Sequence, residues 1–163
     1  MEPRPVHETE AALIRWMSIT DANSAGFVHG GVVMKLCDEA AGIAAVKLCR
    51  TRVVTAAIDR MTFLDPVHIG ELLTCRAAVN AVWHTSMEVG VRVEAENPRT
   101  GEVRHTSTAY LTMVAIDDDG RPTTVPPLRT ESPEEERRMR EAELRRSNRL
   151  AEREQIRAGR ATE

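Results

Sequence analysis

One uninterrupted stretch of helical spacing, Gly30 to Cys49, constrains this chain more than any other feature. Val33, Leu36, Cys37, Ala40, Ile43, Ala44 and Val46 recur at intervals of three and four with no proline among them, which is the pattern of an apolar helix. Ala40, Ala41, Gly42, Ala44 and Ala45 make it unusually rich in small residues, so that a sheet or another helix can approach closely. Such a helix is expected to be buried on most of its sides. The remaining apolar segments read as strands: Glu8–Ile19, Arg52–Phe63, Glu71–Trp83, Thr85–Glu96 and Glu102–Ile116. Ala12, Ile14 and Trp16 fall on one face of the first, and Val89, Val91 and Val93 alternate as in a half-buried strand. Pro66, Gly70, Asn97-Pro98 and Gly101 mark the turns. The expected fold is therefore α+β, an antiparallel sheet wrapped around one long central helix.

Several function classes are excluded at this stage. The chain has 163 residues, the size of one domain with one core. No apolar run reaches the roughly 18 residues that cross a bilayer, and Met1–Glu10 is polar and acidic, unlike a targeting peptide, so a cytoplasmic, membrane-free protein is expected. A net charge of -3 and 3% aromatic residues offer nucleic acid neither a general attraction nor a stacking platform. Cys37, Cys49 and Cys75 are odd in number and lack a C-x-x-C pair, which argues against disulfides and a zinc site and for buried thiols.

Composition changes after Val125-Pro126-Pro127. Residues 1–130 form the expected domain, and 131–163 a charged tail with nine acidic residues and nine arginines. Ser132-Pro133-Glu134-Glu135 is a helix start with an N-cap serine, proline in the first turn and a capping-box glutamate. Glu134/Arg138, Glu136/Arg140 and Glu141/Arg145 then lie one turn apart. Met139, Leu144, Leu150 and Ile156 make too thin a stripe for a core helix, so the tail reads as a solvated helix that frays.

Four polar features gather about the start of the long helix: Asn23, His29, Gly30-Gly31 and Asp38. The first three have ordinary readings as a turn residue, a helix cap and loop glycines. Asp38 is different. It lies in mid-helix, where aspartate is a poor former, with no Lys or Arg at positions 41, 42, 45 or 46 to offset burial of its charge. The unpaired N–H groups of a helix start can polarise a carbonyl, and glycine lets a substrate come near them. Asp38 is eight residues beyond Gly30, about 12 Å along the axis, too far for both to act on one carbon. Two such helices lying antiparallel across a two-fold axis bring one chain's Gly30 to the other's Asp38. The spacing thus predicts a homodimer with two shared sites.

Asn23-x5-His29-Gly30-Gly31, Asp38-x3-Gly42-Ile43, Val53-Val54-Thr55-Ala56, Phe63-x2-Pro66-Val67, Thr85-Ser86-Met87-Glu88-Val89 and Val125-Pro126-Pro127 resemble the acyl-CoA thioesterases of the hotdog superfamily. The likeness is to the bacterial short- to medium-chain enzymes and the brain-type cytosolic acyl-CoA hydrolases, and it covers about residues 18–129. It implies a hotdog fold and thioester hydrolysis with neither metal nor organic cofactor, CoA being part of the substrate. It also implies assembly as a trimer of dimers. Asn23 and Asp38 stand where the family's catalytic pair is found on different subunits, and Gly30 matches the position whose N–H polarises the thioester carbonyl. His29 and Gly31 flank that donor.

On this reading Asp38 serves as general base or nucleophile, and Asn23 holds the water or the carbonyl. For the CoA arm the candidates are the cations Lys47, Arg50, Arg52 and Arg60, with Thr55 and Ser86 for the pantetheine. His84 and His105 lack a suitably spaced partner and read as surface or strand residues. The alternatives are a hotdog hydratase or dehydratase, which would pair Asp with a nearby downstream His, and a non-catalytic acyl-CoA-binding module.

Overall fold

The computed structural model describes residues 1–160; the last three positions of the charged tail lie outside the described residues. The elements run β1 (Arg4–Pro5), β2 (Ala11–Trp16), α1 (Gly30–Cys49), β3 (Arg52–Ile58), β4 (Thr62–Phe63), β5 (Leu72–Val82), β6 (Ser86–Glu96), β7 (Val103–Ile116), β8 (Leu128–Arg129) and α2 (Pro133–Arg160). The long strands form one antiparallel sheet in the order β2-β5-β6-β7-β3, with β4 also paired to β7. The sheet curls about α1, which touches each of those five strands. This is the hotdog arrangement. No helix of the described residues is long and apolar enough to cross a membrane.

The small residues of α1 explain how close the layers come. Ala40, Ala41, Ala44, Ala45 and Leu48 are fully buried against Val89, Val91 and Val93 of β6. Burying each valine contributes about 1.5 kcal/mol or more. The helix is capped at its start by His29, whose Nδ1 accepts the Gly31 N–H at 3.1 Å. It ends at Arg50, which takes the left-handed conformation (φ 56°) and donates its N–H to Val46 O.

Two strand expectations are corrected. Glu8–Ile19 is a strand only over Ala11–Trp16, because turns of 3-10 helix occupy Val6–Thr9 and Ile19–Asp21. Its apolar face of Ala12, Ile14 and Trp16 points outward, Trp16 being 69% exposed, while Ala11 and Leu13 pack on the core. Arg52–Phe63 is not one strand: a bulge at Ala56 and a break at Asp59–Met61 divide it into β3 and β4.

The tail differs most. α2 neither stands free nor docks by an apolar stripe, since Leu144, Leu150 and Ile156 are exposed. Arginines fasten it to the outer face of the sheet. Arg145 reaches Glu88, which is fully buried on β6, through Nη2–Oε1 at 2.7 Å and Nε–Oε2 at 3.0 Å, and its guanidinium covers the Tyr110 ring at 3.6 Å. Asn80 donates to the same carboxylate at 3.1 Å. Arg146 lies over Trp83, whose Nε1–H donates to Glu143. Removing one partner of a buried ion pair costs about 3–5 kcal/mol, so a balanced run of charge can still hold a helix in place. The start of α2 is capped by Ser132, whose hydroxyl accepts the Glu135 N–H at 3.2 Å.

Candidate active site

The loop before α1 is built on two side chains. Asn23 Oδ1 accepts the N–H groups of Ala25 (2.9 Å) and Phe27 (3.2 Å), and Gly26 closes the turn at φ 83°. This commits the carbonyl end of Asn23 to the loop and leaves its amide Nδ2 with no partner in the chain among the described residues. Asp21, which is buried, accepts from Ser18 N–H at 2.8 Å and from Arg15 at 2.6 Å, and its backbone oxygen takes the His29 N–H. The hydrogen bond from the Ser18 N–H, with help from Arg15, holds the Asp21 carboxyl below its ordinary value. Val28 N–H donates to Val67 O, and Phe27 meets His68 edge-on, which ties the loop to the segment before β5.

At the start of α1 the Gly31 N–H is taken by His29 Nδ1 and the Val32 N–H by His29 O. The Gly30 N–H has no acceptor among the described residues, so it is the open donor at the positive end of the helix dipole. Phe63 of β4 lies against it: a Cβ on Gly30 would stand 3.4 Å from the Phe63 ring. Sequence reasoning did not single out Phe63 for this place, although it opened the quoted Phe63-x2-Pro66 motif.

Asp38 is half-buried on α1, and its one partner among the described residues is the Thr55 hydroxyl, which donates to Oδ1 from β3. Its neighbour Glu39 is exposed and faces Lys35 at 3.8 Å. Asp38 and Thr55, expected to have separate tasks, are thus brought together. The remaining candidates for the CoA arm are not. Ser86 begins β6 opposite Val114, beside Met87, which meets Cys49 at the far end of α1. Arg52 donates to Asp117 O, Lys47 to Glu10 O, and Arg60 pairs with Glu152 of α2 at 3.4 Å, so these cations form no common cluster. His105 is engaged with Ser107 O and Thr108 Oγ1 on β7.

Burial pushes the Cys49 thiol up to about 11, and the neighbouring Cys75 together with burial pushes Cys37 up as well. Neither is a thiolate at neutral pH. Among the described residues no group of three or more His, Cys, Asp or Glu side chains is placed to hold a metal. What the site offers is an N–H donor on a helix dipole, a carboxylate held by a hydroxyl, and the unpaired Nδ2 end of a carboxamide.

The thioesterase superfamily model matches residues 25–102, which span the HGG turn, α1, β3, β4, β5 and β6. The chain is 35% identical to the rat (Rattus norvegicus) cytosolic acyl coenzyme A thioester hydrolase over 86% of its own length, and it spans only 37% of that relative. It superposes on a hexameric acyl-CoA thioesterase crystallised in the apo form with a TM-score of 0.89 at 36% identity, covering 93% of this chain and 97% of that one. An acyl-CoA hydrolase of Staphylococcus aureus, solved with butyryl coenzyme A, coenzyme A and coenzyme A disulfide, gives 0.87 at 31% identity, covering 96% and 95%. That enzyme has also been solved with an Asn, an Asp or a Thr changed to Ala. With its fold, its matched residues and these full-length likenesses, the chain belongs to the thioesterase superfamily.

Proposed function

We propose that the protein hydrolyses acyl-CoA thioesters to a free acid and CoA, at a site shared between two copies of the chain. The observation that carries this is the pairing of the open Gly30 N–H with a carboxylate, Asp38, set about 12 Å further along the same helix. A thioester carbonyl seated on the Gly30 N–H gains charge as it is attacked, and the helix dipole stabilises that charge. Asp38, oriented by Thr55, takes the proton of the attacking water; the C–S bond then breaks and the CoA thiolate leaves. The Nδ2 amide of Asn23 holds the water or the carbonyl. Direct attack by Asp38 to give a mixed anhydride is the variant route, and single-turnover hydrolysis in heavy-oxygen water separates the two, because only covalent attack carries solvent oxygen into Asp38.

Support for sharing comes from what a lone chain leaves open. β3 is an edge strand, and Val54 on it, Phe63 on β4 and Met34, Ile43 and Val46 along α1 are between 37% and 46% exposed. Open space lies over Gly42, so a second helix could come close. A dimer through this face would set Asn23 and Gly30 of one subunit against Asp38 of the other. The likeness to a hexameric thioesterase supports three such dimers, and the rat relative's cytosolic description supports the same location here. A hydratase would need an Asp–His pair, but His29, the histidine nearest in sequence, is committed to the Gly31 N–H. Thiol release from a panel of acyl-CoAs tests the activity. Asp38→Asn should cut the rate by about a hundredfold or more while the protein stays folded, and full activity in that variant would sink the assignment.

A further inference from the structure

The contacts of α2 extend past the buried Arg145–Glu88 pair to the segment that joins β3 and β4. One turn beyond Arg145, Arg149 Nη1 lies 3.0 and 3.1 Å from the two carboxylate oxygens of Asp59. Both side chains are roughly three-quarters buried, at 27% and 21% exposure, so this pair is far less screened than the exposed pairs on the rest of α2. The Asp59 backbone N–H donates at 2.9 Å to Tyr110 O, the residue whose ring Arg145 covers. Two arginines one turn apart therefore hold Asp59 and the strand residue beneath it.

Asp59 stands midway between two residues of the candidate site. Thr55, four residues earlier, bonds Asp38, and Phe63, four residues later, packs on Gly30. Between the last β3 pair, Ile58–Leu111, and the first β4 pair, Thr62–Thr108, the segment has no strand ladder. β3 is a sheet edge, the register slips between Thr55 and Ala57, and β4 is paired over two residues. We infer that Arg149 is a positioning residue for the thioester site, acting through Asp59 to fix the β3–β4 segment that carries Thr55 and Phe63. The inference rests on the site reading proposed above, and it gives the charged tail a part in the reaction although it touches none of the reacting atoms.

The test is steady-state thiol release from butyryl-CoA by the full chain, read as kcat and KM separately. Displacing an oriented group without removing it should lower kcat about five- to twentyfold and leave KM within about twofold. That is the result expected for Arg149→Ala and for Asp59→Asn, the latter of nearly unchanged shape should the former fold poorly. Arg149→Lys should recover part of the loss. Arg137→Ala, which breaks pairs to Glu134 and Glu141 within α2 alone, should change nothing. In a Thr55→Ala background the Arg149→Ala loss should shrink, because one of the two groups it positions is gone. Wild-type kcat in both Arg149→Ala and Asp59→Asn overturns the inference, as does an undiminished loss in the Thr55→Ala background. A fully active Thr55→Ala would instead overturn the role of Thr55, and with it this route, whatever Arg149→Ala does.

Discussion

The hydroxyl of Thr55, on the edge strand β3, donates to Oδ1 of Asp38 in the middle of α1. An aspartate on a mostly buried helix is thereby held by a neutral donor rather than a cation, which keeps its charge uncompensated and its orientation fixed. Thr55 is itself exposed, so Thr55→Ala should cost little stability. Its kcat for thiol release should fall about tenfold or more, with a melting temperature within a few degrees of wild type.

The Gly30 N–H can be deleted without breaking the helix. Gly30 is the first residue of α1, where proline is well tolerated, and the preceding His29 is extended at ψ 129°, as a residue before proline must be. Gly30→Pro should retain the circular dichroism of the wild type, with the Phe63 ring giving by a few tenths of an ångström. The rate should drop by about two orders of magnitude, the usual loss when one oxyanion donor is removed. An active, folded Gly30→Pro would remove the N–H from the mechanism.

Acid should act through the loop that carries Asn23. The folded-state pKa of Asp21 lies below its ordinary 3.8, so the stability it contributes is fully present above that value and is lost as pH falls through the lower, folded-state value. Denaturant titrations stepped down from neutral pH to about pH 3 should show a loss that Asp21→Asn lacks, the variant being less stable at neutral pH and flatter towards acid.

Gly90 on β6 is required by its neighbour. A Cβ there would stand 2.6 Å from Asn80 Nδ2, the amide that donates to buried Glu88. Gly90→Ala should destabilise by about 1–3 kcal/mol in denaturant melts. The penalty should shrink in an Asn80→Ala background, where the clash is gone.

Most of the fold was legible because one helix dominates it. The alanine-rich face of α1 and the alternating valines of β6 each satisfy a single period, and the bounds expected for α1 are those observed. Strand ends were legible only where a turn residue marks them. The Asp59–Met61 break carries no glycine or proline; Asp59 and Arg60 are instead engaged by Arg149 and Glu152, about ninety residues later. Docking of α2 was hidden for the same reason, since charge pairs between distant segments leave no periodicity. Asn23, Gly30 and Asp38 stood out by motif and spacing, whereas the Thr55–Asp38 bond and the Phe63 contact depend on how β3 and β4 fold back over α1. The polar interruption at Asp59-Arg60 was the one local hint that this segment is pinned from outside.

The central claim, that one subunit's Asn23 and Gly30 work with the other's Asp38, is tested most directly by complementation. Asn23→Ala and Asp38→Asn chains, each inactive alone, would be co-expressed and the mixed assemblies purified by two affinity tags. Random pairing makes about half the dimers mixed, and each mixed dimer keeps one of its two sites intact, so unfractionated material should regain about a quarter of wild-type thiol release. If the mixed dimers are as inactive as the parents, the site lies within one chain and the shared arrangement is wrong.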